Sequence, residues 1–161
     1  GEIIGYGIST DNHHLTQPNP DGNGPRRAME QALAQAELTP NQIGYINAHG
    51  TSTQLNDKSE TAAIKTVFGE QAYQIPVSST KSMTGHCLGA AGVVEALACI
   101  LAVTKDVIPP TINHFTDDPD LDPNLNFTFN KAQYRTVNAA LSNTFGFGGH
   151  NASVIVKKYR A

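Results

Sequence analysis

Cysteine is scarce: Cys87 and Cys99 are the only two in the chain. There is no Cys-x-x-Cys pair, which argues against a structural zinc site. If both lie on one helix, they stand ~18 Å apart along its axis, too far for a disulfide. Both are expected to act as small buried hydrophobes in a reducing compartment. Positive charge is also short, with 11 Lys+Arg against 14 Asp+Glu and a net charge of −3. No basic face therefore advertises nucleic acid. The longest apolar run, residues 88–103, is short for a bilayer and carries Glu95 at its centre. It reads as a core helix, with no membrane span. No signal-peptide pattern opens the chain. No Gly-Lys-Ser/Thr occurs, and Gly146-x-Gly148 has Asn151 where a third glycine would stand, so phosphate-loop patterns fail.

What is present suits one soluble globular domain. The 161 residues are 39% apolar and 16% charged, enough for one core. Glycine replaces an initiator methionine and leads at once into a strand-like run, residues 3–9, which points to a fragment or processed piece. A polar loop follows, with His13-His14. Adjacent histidines point in different directions, so a surface loop near a substrate entrance is preferred there to a metal site. Pro25 is placed to open a helix with Ala28, Met29, Ala32, Leu33 and Ala36 as its stripe. Thr39-Pro40 should end it. Residues 43–48 read as a strand. Asp57 to Glu60 has the capping-box spacing, predicting a helix with Asp57 as N-cap and Ala63, Ile64, Val67 and Phe68 buried. Gly69 should stop that helix. Residues 75–79 read as a strand, and a long helix should run from about 88 to 104. After Pro109-Pro110 comes an aspartate-rich loop, then an edge strand over 127–130. Two last strands are expected over 139–143 and 153–158. The order β-α-β-α-β-α-β-β predicts a layered α/β domain.

Three loops follow three of these strands, and each carries chemistry. They are His49-Gly50-Thr51-Ser52-Thr53, the Lys81-to-Gly92 segment with His86, and Phe145 to Asn151. If the strands run parallel, their C-terminal ends share one edge, where ligands bind in α/β sheets. Each motif is weak alone. A single histidine after a strand is more often a satisfied loop residue, a single lysine a surface charge, and a glycine cluster a tight turn.

Together, in this order, His-Gly-Thr-Ser-Thr, Lys-Ser-x-x-Gly-His-x-x-Gly-Ala-Ala-Gly and Ser-Asn-x-Phe-Gly-Phe-Gly-Gly resemble the C-terminal half of the β-ketoacyl-acyl carrier protein synthases. The ketoacyl synthase II type is the most similar, and the resemblance covers essentially all of residues 1–161. It implies half of a thiolase-like fold, a three-layer α/β/α unit with a mixed five-stranded sheet. It implies decarboxylative condensation of malonyl-acyl carrier protein with an enzyme-bound acyl thioester, and no required cofactor. His49 and His86 match the family's enolate-stabilising histidines, and Lys81 the lysine that tunes them. Thr51 and Thr53 match hydroxyls on the pantetheine arm. Phe147 matches a gating phenylalanine whose N–H shares an oxyanion hole, and Phe145 would line the same entrance. Core packing is the bland alternative for both rings.

The family's nucleophilic cysteine lies in the absent N-terminal half. Cys87, where the family usually has an aliphatic residue, is not promoted to that role. A monovalent cation, or a structural water, can sit near the glutamate matching Glu95, with Asn47, Ser142 and Asn143 as neighbours. His150 stands where threonine is common. The implied partners are acyl carrier protein, the N-terminal half and a second copy as homodimer, in the cytoplasm or a plastid stroma. Two other readings are weighed. One is a non-catalytic partner like a chain-length factor, against which intact His49, Lys81 and His86 speak. The other is a stand-alone acyl or coenzyme A module, disfavoured because half a fold would expose a large apolar face.

Overall fold

The computed structural model describes residues 1–159; the last two positions of the expected domain lie outside them. The first strand, β1 (Glu2–Thr10), leads to helix α1 (Asn23–Gln35). Strand β2 (Tyr45–Asn47) is followed by α2 (Gln54–Phe68). Strand β3 (Val77–Ser78) runs into the one-turn helix α3 (Lys81–Thr84), and then α4 (Ala91–Lys105). Two short strands, β4 (Val107–Ile108) and β5 (Gln133–Tyr134), pair with each other. The hairpin β6 (Ala139–Gly146) and β7 (His150–Lys157) closes the described chain.

The main sheet has the order β1-β7-β6-β2-β3. β7 runs antiparallel to both of its neighbours, β1 and β6, while β6, β2 and β3 run parallel. The expected mixed five-stranded sheet is therefore present. Because side chains alternate along a strand, each strand feeds two cores. Ile46, Leu141 and Ile155 face Met29, Leu33, Ile64 and Phe68 of α1 and α2. Tyr45, Ala140 and Val156 face Cys99, Ala102 and Val103 of α4. This gives the three layers.

The helices obey their patterns with instructive shifts. Helix α1 starts two residues before Pro25, with Gly22 in the left-handed region at its N-cap (φ +65°). Pro25 falls in the first turn, where no backbone N–H is missed. It packs tightly on β1: a Cβ on Gly7 would lie 2.0 Å from the Ala28 carbonyl oxygen. Helix α2 does not start at Asp57. It begins at Gln54, after an extended Thr53 that makes no side-chain cap. Asp57 sits inside its first turn. Gly69 ends it at φ +53°, as expected. No edge strand forms over 127–130. Phe127 and Phe129 instead make single bridges to Val77 and Thr111. Pro76 and Pro109-Pro110 flank those partners and lack the N–H groups that would extend a ladder.

The cysteines part company. Cys99 is buried, but Cys87 is exposed and precedes the helix. Leu88, at φ +49°, breaks the chain between them. The segment Leu88–Lys105 is long and apolar enough to cross a membrane by length and composition, yet it lies along the sheet through Cys99, Ala102 and Val103. Its outward stripe, Val93, Leu97 and Leu101, is exposed, as are Tyr6 and Ile8 on the same face of the sheet. Spacing of i, i+4, i+8 makes this a second apolar face on one helix.

Candidate active site

The parallel set β2, β3 and β6 brings its C-terminal ends to one edge. There the three motif loops meet. His49 follows β2 and is 5% exposed. His86 lies past the end of α3, released by Gly85 at φ +71°. The two imidazoles stand edge to face, with ring centroids 5.4 Å apart. Phe145 of β6 packs against His49, with ring centroids 5.7 Å apart. Its burial joins the packing role to the site rather than opposing it. Phe147, by contrast, is exposed at the tip of the hairpin.

Lys81 is buried, and its ammonium is paired with the Glu95 carboxylate reaching up from α4. The second Glu95 oxygen accepts the Thr144 hydroxyl at 3.4 Å. Burial still holds the Glu95 carboxyl above its usual range, against the pull of Lys81. Burial also pushes the His49 imidazole from 6.5 down to about 3, helped by the Lys81 ammonium and then by His86. His49 is therefore a neutral ring across the ordinary pH range.

The His86 tautomer is fixed by its own chain. The Leu88 N–H donates to His86 Nδ1 at 3.1 Å, so the ring proton is left on Nε2. Leu88 itself stands in the left-handed region at φ +49°, a local strain placed at the site. His86 thus offers Nε2–H as a donor toward the opening. Thr51 and Thr53 hydroxyls lie 2.8 Å apart on the His49 loop. Thr51, Lys81 and His86 share the wall of a cleft of about 470 Å³.

Two further residues hold this geometry, and the motif reading passed over both. Glu60 is 2% exposed. One of its oxygens accepts the His49 N–H and the other the Gly50 N–H, each at 2.9 Å. Asn143 Nδ2 adds a third bond at 3.1 Å. The signal was on the sequence: Glu60, Ala63, Ile64 and Val67 share one helix stripe, so a carboxylate sits on a buried face. Leu88 is the other, and nothing in residue type marks a backbone donor.

The neighbours expected around Glu95 are only partly gathered. Asn47 and Ser142 are register partners on the α4 face, and Asn47 Nδ2 reaches the Glu95 backbone oxygen at 3.4 Å. Ser142 Oγ is buried beside Cys99 with no well-formed hydrogen bond. The Asn143 amide points to the opposite face, toward Met29 and Glu60. Both Glu95 oxygens already take protein donors. The four residues thus do not form one cation cage. His13 and His14 are exposed on the loop before α1, where His14 Nδ1 accepts the Thr16 and Gln17 N–H groups.

The His49 shift carries a consequence for folding. Below pH 6.5 the unfolded chain protonates His49, whereas the folded chain refuses that proton until about pH 3. Stability attributable to this residue is complete above 6.5 and is lost as the pH falls through that window. Unfolding free energies from denaturant titrations between pH 7 and pH 4 are expected to fall less steeply for His49→Asn than for the parent, by on the order of a few kcal/mol over that range. Parallel slopes would contradict this.

Known proteins match this chain in sequence and fold. The family model for the β-ketoacyl synthase C-terminal domain matches residues 1–115. The 3-oxoacyl-[acyl-carrier-protein] synthase 2 of Synechocystis sp. is 50% identical over 160 residues, 99% of this chain and 38% of the relative. A solved type II PKS acyl-carrier protein in complex with its ketosynthase bound to the hexaketide superposes with a TM-score of 0.92 at 38% identity, over 98% of this chain and 38% of that one. The ishigamide ketosynthase/chain length factor gives 0.91 at 40% identity, over 98% and 38%. The chain thus spans a little over a third of the length of these relatives, and it adopts the thiolase-like ketosynthase fold. Sheet order, loop convergence and sequence agree that this chain belongs to the β-ketoacyl synthase C-terminal domain family.

Proposed function

We propose that this chain is the enolate-binding half of a condensing enzyme of fatty-acid synthesis. The observation that carries the reading is the pair of edge-to-face imidazoles beside a buried ammonium, at the edge where three parallel strands end. A cysteine thiol in a separate N-terminal half would hold the acyl group as a thioester. A malonyl thioester on acyl carrier protein then enters with its carbonyl oxygen toward His49 and His86. Loss of carbon dioxide breaks the C–C bond and leaves an enolate. The enolate carbon attacks the acyl carbonyl, the acyl C–S bond breaks, and the thiolate departs and is reprotonated. Negative charge grows on the enolate oxygen, and preorganised neutral N–H donors act where that charge develops. His86 Nε2–H is set for this by Leu88. Thr51 and Thr53 hydroxyls suit the amide groups of a pantetheine arm, and the exposed Phe147 would act as the gate to the acyl pocket.

The exposed face of α4 and β1 supports the need for a second half. Val93, Leu97, Leu101, Tyr6 and Ile8 form an apolar surface that a soluble protein covers. We assign the N-terminal half to it. Acyl carrier protein is the partner that brings both thioesters, in keeping with the carrier protein bound to the ketosynthase neighbour. The bacterial source of the relative favours the cytoplasm over a plastid stroma. A chain-length-factor role is the weaker reading, because a partner without catalysis has no use for the buried Lys81–Glu95 pair beside two histidines.

The test is a condensation assay with malonyl-acyl carrier protein. The isolated chain is expected to be inactive, and the chain joined to a cysteine-bearing N-terminal half to elongate. Elongation by the isolated chain would overturn the placement of the nucleophile. Failure of the joined protein, with acyl loading intact, would favour the non-catalytic role.

A further inference from the structure

One buried side chain stands between the His49 turn and the Lys81 turn, on the wall of the cleft that Lys81 and His86 also line. Ser79 follows β3 directly and is 7% exposed. Its polar groups serve three different segments. The hydroxyl donates to the Gly50 carbonyl at 2.8 Å. The N–H donates to Thr111 Oγ1 at 2.8 Å. The carbonyl accepts the Ser82 hydroxyl at 2.9 Å, and Ser82 Oγ in turn accepts the Ile112 N–H at 2.9 Å.

The contact with Gly50 is close. Gly50 has φ +43°, and a Cβ there would lie 2.5 Å from the Ser79 Cβ. The His49-Gly50 turn is therefore gripped from two sides. Glu60 holds its N–H groups from α2, and Ser79 holds its carbonyl from the Lys81 side. Glu60 alone fixes the turn relative to α2, which does not carry Lys81. Asn47 bonds Thr80 across the strand ends, at 3.0 Å, but it lies before the turn. Ser79 is two residues from Lys81 and makes a direct hydrogen bond from that side to the turn that carries one imidazole, beyond the bonds that Asn47 and Ala48 make at the strand ends.

We infer that Ser79 is a positioning residue that locks the His49 turn to the Lys81 turn, so that the two move as one body. The inference rests on the condensation reading of these loops and names a residue which that reading does not use. A purely structural hydroxyl would matter for stability alone. A latch between catalytic turns matters for the rate and for the surroundings of His49, because displacement of about 1 Å at such a site costs on the order of a hundredfold.

The experiment uses the protein joined to its nucleophile-bearing half. For Ser79→Ala, kcat for condensation is expected to fall by about tenfold to a hundredfold, with KM for malonyl-acyl carrier protein moving by less than about twofold. The NMR titration of His49, assigned with His49→Ala, should shift upward as water reaches the loosened turn. Thr111→Val removes the acceptor of the Ser79 N–H and should act in the same direction, and it carries the test if Ser79→Ala does not fold. Unchanged kcat with an unmoved His49 signal would overturn the proposal. A lowered unfolding temperature with no change at His49 would also overturn it, by making Ser79 structural only. If the parent protein does not condense at all, the condensation reading fails, and the His49 titration still decides whether Ser79 positions the turn.

Discussion

In the joined enzyme, His49→Ala and His86→Ala are each expected to lower condensation by about two to three orders of magnitude, the loss that follows removal of a donor to a developing oxyanion. Acyl transfer onto the nucleophile of the other half should persist. The two rings stand 5.4 Å apart and approach edge to face, so an oxygen placed beside the pair would lie near both. An enolate oxygen at that point is worth most to a donor that is neutral, buried and already oriented. His49 meets the first two conditions through its burial and the Lys81 ammonium, and His86 meets the third through the Leu88 N–H. Because both rings serve one oxygen, the double variant should lose little more than either single one. Condensation and acyl loading, followed separately with malonyl- and acyl-carrier protein, check this. A loss below about tenfold in either single variant would mean that charge is stabilised elsewhere.

Much of this geometry could be read in the chain because patterning and packing agree over most of it. The stripe of α1 is apolar at the spacing that buries it, and Ala28, Met29, Ala32 and Leu33 are buried. The loops at 49–53, 81–86 and 145–151 follow strands whose parallel pairing places them at one edge. What stayed hidden was fixed by groups that residue type does not announce. The Leu88 N–H is a backbone donor. Cys87 is exposed, and the left-handed Leu88 follows it where residue type marks no break. The start of α2 misleads for a better reason. Asp57-x-x-Glu60 has the spacing of a capping box, and such a box would have turned Glu60 back to its own helix start. Glu60 instead serves the amides of a different loop, and the helix begins a turn earlier on an uncapped Thr53. A local rule gives way where the site needs the side chain more.

That displaced glutamate is where the second large effect is expected. Glu60→Ala should lower condensation by about a hundredfold and destabilise the fold by several kcal/mol. The variant would leave the His49 N–H, the Gly50 N–H and the Asn143 amide facing a buried gap, and a buried donor left unpaired costs about 1–3 kcal/mol. The same change frees the turn that aims the His49 ring, so rate and stability should fall together. Glu60→Gln keeps one acceptor oxygen and should lie between parent and Ala. Burial holds the Glu60 carboxyl above its ordinary range, against the opposing bonds from the Gly50 and His49 N–H groups and Asn143. A carboxyl raised in this way stabilises the fold most at low pH and loses that contribution as the pH climbs through its shifted value. The stability gap between parent and Glu60→Gln should therefore narrow as pH rises from about 4. Unfolding midpoints across pH, read beside condensation rates, separate the two roles. A Glu60→Ala protein with near-parent rates would show that the His49 turn keeps its shape without this anchor, and that Ser79 and the strand ends alone suffice to hold it.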